Sequence, residues 1–572
     1  MKKTIFLFFF IIISFFAQAQ NEFITIWEPG FTTNPTININ APFQSNSNQI
    51  WFPGIGENYT IEWEEVGYPQ NNGIMTNVTS TSQVLIDFGP VREGSAPATQ
   101  YRVKVSNGNG IFRQIQFATH LPFNNNNIET NVPNIQLYGN SEKIREIEQW
   151  GNIVWSTMKC AFTNCQKLQL TATDSPNLSM VTDASLMFYR AFEFLGASSM
   201  QNWDTSNIKN FSFMFAAHYS GINFATLPLY FNPPYLGNWN MSSANDLSYM
   251  FTARDLFNQN LNNWNVSNVS KMNWMFAFCE NFNQPLNNWN TSSLTDMHYM
   301  FSNNAAFNQP LDNWDVSNVK NMNTAFGGCS SFNQPLNVWN VANVTKMNNL
   351  FAGTTVFNQP LNSWDVGNVT TMNGMFSSAV NFNQPLSSWN VRKVTEMSNM
   401  FSGASSFNQS LENWNLSALV LAHKMLFNTG LNCINYSKTL SGWADNPSAP
   451  NNINLSSVEP AVYAANILPK RTILINKGWT ITNDVMGTCM LSTSEYPGVK
   501  EFSIYPNPAH DFIYLKNISK AKSFVITDVS GRIVMKDSLN KDFINIQNLT
   551  SGTYILELIT KEKIQPLKFI KK

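Results

Sequence analysis

The sequence predicts a mixed α/β solenoid of 25-residue coils, each with one strand and one short helix, flanked by an N-terminal and a C-terminal all-β sandwich domain. The main observation is a 25-residue repeat that runs from Phe257 to Phe407 without insertion or deletion. Regular repetition of this length is typical of units that stack on their neighbours. The other two observations are strand-like runs in residues 20–120 and in residues 501–572.

The first predicted element is a signal peptide at residues 1–19. Two lysines precede an apolar run from Ile5 to Phe16, and the small residues at positions 17 and 19 suit cleavage. The run is shorter than the ~20 residues that a transmembrane helix needs. Since no later run approaches that length, we expect an exported chain with no transmembrane segment after signal removal.

Residues 20–120 are predicted to form a β-sandwich of roughly seven short strands. The runs FITIW, YTIEW, QVLIDF, YRVKVS and IFRQIQF are separated by Gly, Pro and Asn turns. YTIEWEEV and YRVKVS are similar to the paired strands of PKD-type, immunoglobulin-like domains. The glycine-containing turn that usually follows the tryptophan is absent.

Each repeat has apolar residues at fixed positions. In the repeat that begins at Phe307, the apolar spacing from Val319 to Phe326 indicates one face of a short helix, which Ser317 can cap. Residues 309–314 are expected to form a short strand and turn. The aligned asparagines are expected to form a hydrogen-bonded ladder along the stack. These are Asn258, Asn283, Asn308, Asn333, Asn358, Asn383 and Asn408.

The repeated aromatic residues are interpreted as the structural core. The alternative for the tryptophans is a surface ladder that stacks on sugars, but each lies between apolar residues in a coil that has to be filled. The tryptophans are Trp239, Trp264, Trp289, Trp314, Trp339, Trp364, Trp389 and Trp414. The phenylalanines are Phe257, Phe282, Phe307, Phe332, Phe357, Phe382 and Phe407.

The repeat text W(D/N)VSNVxxMxxMFxxA, followed by FNQPL, resembles the BspA-like leucine-rich-repeat surface proteins from about Glu148 to Thr482. The resemblance implies a leucine-rich-repeat-like solenoid at residues 201–426, an N-terminal cap at 121–200 and a C-terminal cap at 427–489. It also implies a secreted or cell-surface protein with a role in adhesion and recognition, without a common enzymatic reaction.

After a linker at residues 490–500, the segment 501–572 resembles the type A C-terminal sorting domain of type IX secretion cargo. The runs FSIYPNPAHDFIYL and SGTYILEL and the terminal lysines carry this resemblance. It implies two partners, the type IX secretion machinery and its sorting peptidase, and a place outside or on the surface of a Bacteroidota-type bacterium. The implied sorting-signal residues are Pro506, Asn507, Pro508, Gly531, Gly552, Tyr554, Lys571 and Lys572.

The sequence allows one disulfide without deciding whether it forms. Cys433 and Cys489 flank the end of the solenoid and can pair in an oxidising exterior. Cys279 and Cys329 occupy the same repeat position two coils apart, about 10 Å at the strand spacing, which exceeds the ~7 Å limit between Cα atoms. We therefore expect them to be small core residues.

The composition and motifs exclude several classes of function. Only 12% of the residues are charged and the net charge is -1, whereas binding to a nucleic acid needs clustered Lys and Arg. The five histidines show no metal-ligand spacing, and no P-loop or nucleophile elbow is present. Asp315 and Asp365 could hold Ca²⁺, but the Asn at this position in the repeat between them favours a solvated edge. We expect no catalytic residue, metal or cofactor.

The function predicted from the sequence is non-enzymatic recognition or adhesion, with the solenoid binding an unidentified surface glycan or protein polymer. A polymer-degrading hydrolase that uses the same export route and a passive surface-coat protein are the alternatives. The residues expected to contact the ligand lie in variable segments, including the insertion at 221–234. They are Arg254, Glu280, Asn304, Tyr230 and Tyr235.

Overall fold

The computed structural model describes residues 21–31, 45–90, 99–120, 133–217, 230–489, 503–516, 522–528, 532–559 and 564–572. The predicted signal peptide and linker, Gly531 and residues 221–229 of the insertion lie outside the described residues. The chain divides into two compact units, Met1–Leu491 and Ser492–Lys572. The finer domain boundaries remain predictions.

The first unit begins with β-strands whose buried and exposed residues alternate. In YRVKVS every second side chain is buried, so one face of the strand packs on the core. Gly67, with φ 85°, turns the chain between the two longest strands. The strands are β1 Phe23–Trp27, β2 Gln49–Phe52, β3 Gly54–Glu65, β4 Tyr68–Ser80, β5 Val84–Asp87, β6 Tyr101–Ser106, β7 Ile111–Ile115, β8 Ala118–His120, β9 Ile135–Leu137, β10 Ile144–Gln149 and β11 Gln169–Leu170.

Seven of these strands form one sheet in the order β11-β10-β1-β6-β3-β4, and β7 also pairs with β3. Strands β2 and β5 form a two-stranded sheet, as do β8 and β9. The core of the large sheet continues without a break into the repeats, from Phe23 to Ile481. For example, the rings of Phe23 and Trp155 lie 5.1 Å apart.

The repeats are built from turns. Between β11 and residue 432, the described residues contain 3₁₀ turns at Ser198–Asn202 and Leu236–Asn238 but no α-helix. Neighbouring repeats are joined by single parallel bridges, such as Asn321 to Lys346. Backbone hydrogen bonds follow the same direction, since the Phe326 amide donates to the Leu350 carbonyl at 3.0 Å. Each repeat therefore depends on the next one for its backbone partners.

The predicted mixed α/β solenoid is wrong. The described structure is mostly β, composed mainly of small sheets, with 7% helix and two α-helices. The segment expected to be helical from Val319 contains Thr324 at φ 56°, a left-handed conformation that a right-handed helix cannot include. Its amides also point outward to the next repeat, with Thr324 donating to Asn348 O at 2.7 Å. These contacts with the next repeat replace the contacts within a helix.

The repeated aromatic side chains form two continuous columns in the core. The rings of Trp289 and Trp314 lie 6.0 Å apart, as do those of Phe307 and Phe332. The eight repeat tryptophans are at most 3% exposed. Trp314 Nε1 donates to the Leu286 carbonyl of the preceding repeat at 3.0 Å. The tryptophans thus fill the core and also join consecutive repeats.

The aligned asparagines form a ladder that alternates side chain and backbone. Asn308 Oδ1 accepts the backbone amide of Asn333 at 3.0 Å and the Gln334 side chain at 3.0 Å. The same contacts recur from Asn258 through Asn408. Because buried or half-buried backbone amides need partners, this ladder satisfies one amide in each repeat.

Two helices and two short parallel pairs end the first unit. Helix α1 is Cys433–Asp445 and helix α2 is Leu468–Asn476. The Asn432 side chain caps α1 by accepting the Asn435 amide at 2.9 Å. Trp443 continues the tryptophan column, and its Nε1 donates to Leu411 O at 3.0 Å. The strands are β12 Asn454–Ser457, β13 Val462–Ala464, β14 Thr480–Thr482 and β15 Val485–Gly487.

The second unit is a small β structure with its own core, which includes Ile513, Leu556 and Phe569. Its two sheets have the strand orders β16-β17-β20 and β19-β18-β21-β22. The strands are β16 Ser503–Tyr505, β17 Phe512–Lys516, β18 Ser523–Asp528, β19 Ile533–Ser538, β20 Phe543–Asn545, β21 Gly552–Ile559 and β22 Ile564–Lys571.

We expect Trp314→Ala to lower the free energy of unfolding by about 3 to 5 kcal/mol, because it leaves a cavity in the core beside the stacked ring of Trp289. Val338→Ala is the control, since Val338 is 63% exposed and its truncation is expected to change stability by less than about 0.5 kcal/mol. Equilibrium denaturation of both variants measures the difference. Equal stability of the two variants would contradict a structural role for the tryptophan column.

Candidate functional site

One edge of the repeats is formed by residues with left-handed backbone conformation, at two positions four residues apart. In the repeat that begins at Phe307 they are Thr324 and Gly328, with φ 56° and 78°. We call these two columns the left-handed edge. Small or polar residues occupy it in the later repeats, as expected for this conformation. They are Asn349, Gly353, Gly374, Ser378, Asn399 and Gly403.

The earlier repeats place aromatic residues at the first of these two positions. Phe213, Tyr249, Trp274 and Tyr299 have φ between 57° and 62°. We call these four residues the aromatic strip. Their ring centroids are separated by 4.2, 5.5 and 4.2 Å in chain order, with interplanar angles of 8 to 11°. The strip is therefore one continuous stack of rings across four repeats.

The strip passes from a covered to a partly exposed environment. Phe213 and Tyr249 are 9% and 8% exposed and share a cluster with Ala118 of β8 and Leu137 of β9. Trp274 and Tyr299 are partly exposed. The chain's own strands thus cover the beginning of this apolar surface, and its continuation is accessible to solvent.

The partly exposed end of the strip is extended by a fifth ring. Phe278 occupies the second left-handed position, with φ 58°, and its ring lies 6.3 Å from that of Trp274. Phe278 is also partly exposed. Trp274, Phe278 and Tyr299 together form the most accessible part of the aromatic surface.

Polar groups flank these rings, and the charged ones are paired. Lys271 Nζ lies 3.4 Å from Asp246 Oδ2, and His298 Nδ1 lies 2.6 Å from Asp296 Oδ1. Asn303 is exposed at the left-handed position that follows Phe278 in the stack. The surface around the strip therefore combines apolar rings with an exposed amide group, one Lys–Asp ion pair and one His–Asp contact.

The prediction that Arg254 and Asn304 contact a ligand is wrong, because both are 0% exposed. They occupy the same repeat position as Cys279 and Cys329, which also point into the core. The thiol of Cys329 donates to Phe301 O of the preceding repeat at 2.9 Å. Alignment of Arg254 and Asn304 with these cysteines in the 25-residue register could have revealed their burial.

Arg254 binds backbone carbonyl groups inside the stack. Its Nε donates to Phe215 O at 2.6 Å and its Nη2 to Ala191 O at 2.8 Å. The guanidinium also lies 5.2 Å from the ring centre of Phe231. Burial lowers the pKa of Arg254 to about 9, so the side chain is still charged at neutral pH. Arg254 thus joins its repeat to two preceding ones.

The other predicted contact residues lie at the surface. Glu280 is exposed, Tyr230 is 61% exposed and Tyr235 is partly exposed. The aromatic strip was not predicted from the sequence. Its signal is present in the repeat, because each ring follows a repeat tryptophan by ten residues, but the period alone does not show that this position is a left-handed edge.

Cys433 and Cys489 form a disulfide with a Cα–Cα distance of 6.3 Å. The bond joins the start of α1 to the last described residue of the first unit. The remaining cysteines, Cys160, Cys165, Cys279 and Cys329, are buried thiols.

The predicted sorting-signal residue Asn507 contacts the final strand of the second unit. The Asn507 side chain donates to Lys568 O at 3.0 Å and accepts the Ile570 amide at 2.9 Å. Pro506 and Pro508 lie on either side of Asn507, between β16 and β17. Asn507 therefore ties the loop after β16 to the final strand.

The other described sorting-signal residues lie on the last two strands or just after them. Gly552 begins β21 and Tyr554 follows it, with its hydroxyl donating to Thr550 O at 2.8 Å. Lys571 ends β22 and is 9% exposed, whereas Lys572 is exposed.

Within the described parts of the chain, no group of three or more His, Cys, Asp or Glu side chains is arranged to hold a metal ion. The helices of the described residues are also too short or too polar to cross a bilayer.

Comparison with known families identifies the second unit and then the repeats. Residues 503–572 match the family described as "Secretion system C-terminal sorting domain". The chain is therefore exported by the type IX route and is a secreted or cell-surface protein of a Bacteroidota-type bacterium. It belongs to the DUF285 family, described as "Mycoplasma protein of unknown function, DUF285". That family matches residues 156–224, 223–339 and 321–443, together half of the chain. No curated protein matches the chain.

Arg254→Met is expected to reduce the free energy of unfolding by about 2 kcal/mol or more, because buried carbonyl groups lose their donors. Arg254→Lys is expected to be destabilising too, since an ammonium group cannot reproduce the fork of the guanidinium. Exposed Arg392 offers a matched control, and Arg392→Met is expected to change stability by less than about 0.5 kcal/mol. Thermal or chemical unfolding would reveal the difference, and a stable Arg254→Met protein would refute the linking role.

Proposed function

We propose that this protein is a non-enzymatic recognition or adhesion protein, and that its repeats bind an extended surface polymer. The observation that carries the proposal is the constant spacing of equivalent side chains. Tryptophan rings in successive repeats lie 6.3, 6.0 and 6.5 Å apart where neighbouring rings face each other. Equivalent surface positions therefore recur at a similar interval. The relation to BspA-like leucine-rich-repeat surface proteins is part of this proposal.

A periodic surface favours a periodic ligand for a thermodynamic reason. Each repeat offers a similar small contact, and a polymer can engage several of them at once. After the first contact, each further contact is intramolecular, so affinity rises without any single strong pocket. A compact metabolite would contact one repeat and gain nothing from the others.

The type IX sorting domain supports this function because it brings the protein to the cell exterior, where surface glycans and matrix proteins are accessible. A hydrolase or a passive coat would follow the same export route. The two alternatives predict different results when a polymer is added. A hydrolase would cleave the polymer, whereas a passive coat would not bind it.

We expect affinity to rise with ligand length and to fall when repeats are removed. Deletion of residues 332–381 removes two whole repeats and keeps the register. Binding of the full chain and the deletion variant would be measured on arrays of glycans and matrix proteins, with matched short and long ligands. Equal affinity for a monosaccharide and its polymer would contradict the proposal. Shortening of the bound polymer would support a hydrolase, and absence of binding across the arrays a passive coat.

A second expectation concerns export. A chain that ends at Ser494 lacks the sorting domain and is expected to accumulate in the periplasm. Residues 497–572 fused to a passenger protein are expected to carry that passenger to the exterior. Mass spectrometry of the surface protein would show whether the sorting domain has been removed. Detection of Lys572 on the mature protein would contradict removal by a sorting peptidase.

A further inference from the structure

We propose that the aromatic strip is the main ligand-contact site of the repeats, and that its ligand is a neutral polysaccharide. This inference rests on the proposed function, because it assumes that the repeats bind a polymer. It adds the surface that makes contact and the chemical class of the ligand.

The backbone conformation of the strip is unfavourable for the residues that occupy it. A left-handed conformation costs roughly 1 to 2 kcal/mol for a residue with a side chain, and it is unusual above all for bulky residues. Phe213, Tyr249, Trp274 and Tyr299 nevertheless adopt it in four successive repeats. Backbone strain of this kind is concentrated at functional sites.

Stacking of the repeats does not require aromatic rings at this position. The Trp274 amide donates to the carbonyl of His298 in the next repeat at 3.0 Å, and the Asn349 amide donates to Asn373 O at 2.7 Å. The same connection is therefore made by an aromatic residue and by asparagine. Asn and Gly fit a left-handed turn better, so the backbone connections do not need the partly exposed rings of Trp274 and Tyr299, which are available to contact a ligand.

One part of the strip is covered by the chain itself and the other part is accessible to solvent. The accessible part is where a ligand can make contact. Ala118 of β8 and Leu137 of β9 cluster with Phe213 and Tyr249. The same row of rings continues to Trp274 and Tyr299, which are partly exposed. The accessible rings thus extend an apolar surface that the chain itself already uses for packing.

The flanks of the strip favour a neutral sugar chain over a charged ligand. The Lys271 ammonium pairs with Asp246, and His298 Nδ1 lies 2.6 Å from Asp296 Oδ1. Asn303 is exposed nearby, and its amide can both donate to and accept from hydroxyl groups. Apolar rings beside such amides match the C–H surfaces and hydroxyl groups of a polysaccharide. A polyanion would find the nearby Lys271 ammonium already paired with Asp246.

The decisive variant is Trp274→Asn combined with Tyr299→Asn, which installs the residue that later repeats use at the same position. We expect the protein to stay folded with a modestly lower melting temperature, because the new residues suit the left-handed backbone while the stacking contacts of Trp274 and Tyr299 are lost. We also expect at least a tenfold loss of affinity for soluble β-glucan, xylan or galactomannan. Asn349→Gly and Asn399→Gly, in the same column outside the strip, form the matched control and are expected to bind like the unmodified chain.

A second variant lengthens the aromatic strip by one ring. Thr324→Tyr adds a ring at the next position of the column, and we expect tighter binding of the same polysaccharides. Unchanged affinity in both the asparagine and the tyrosine variants would overturn the strip as the site, while length-dependent binding in the same assay would leave the proposed function intact. Binding to gelatin or heparin but to no neutral polysaccharide would overturn the ligand class. If the unmodified chain bound none of the polymers tested, both proposals would be overturned.

Discussion

The structure depends on hydrogen bonds and ring contacts between consecutive repeats. Amides that would bond within a helix in another fold, such as that of Thr324, bond to the next repeat instead. The Trp314 indole and the Asn308 amide group make equivalent connections. Because these partners lie one repeat away, an insertion within the bonded segments would displace them together. The longer interval between Trp203 and Trp239 keeps the same bonds, since the Phe213 amide still donates to Ser248 O at 2.9 Å. This constraint explains the strict 25-residue period.

The same constraint produces the left-handed edge. Equivalent residues of successive repeats have to lie beside each other, so the chain must turn back in every repeat. Right-handed conformations do not supply these turns, and two left-handed residues in each repeat make them. In the repeats from Thr324 to Gly403 the edge is occupied by small or polar residues. In four repeats it carries stacked rings instead, so an element required by the fold also provides a surface that the fold does not require.

One side chain contacts the earlier repeats across the interval where the period is longer. The insertion between Trp203 and Trp239 lengthens one interval, and Arg254 follows it at a position that elsewhere holds small residues such as Cys279. Its guanidinium reaches carbonyl groups of two earlier repeats and the ring of Phe231. An arginine suits this role because its several fixed donors can satisfy more than one acceptor at once.

The sequence by itself determined the 25-residue period and the type IX sorting domain, because both are patterns of residue identity along the chain. It did not determine the secondary structure of a repeat. The spacing from Val319 to Phe326 fits a helical face, yet alternate backbone amides there find their partners 24 residues away. The burial of Arg254 and the stacking of Trp274 on Tyr299 were also decided only by the tertiary structure. In each case the physical reason is that the deciding contacts lie between repeats, whereas local spacing reports only contacts within one.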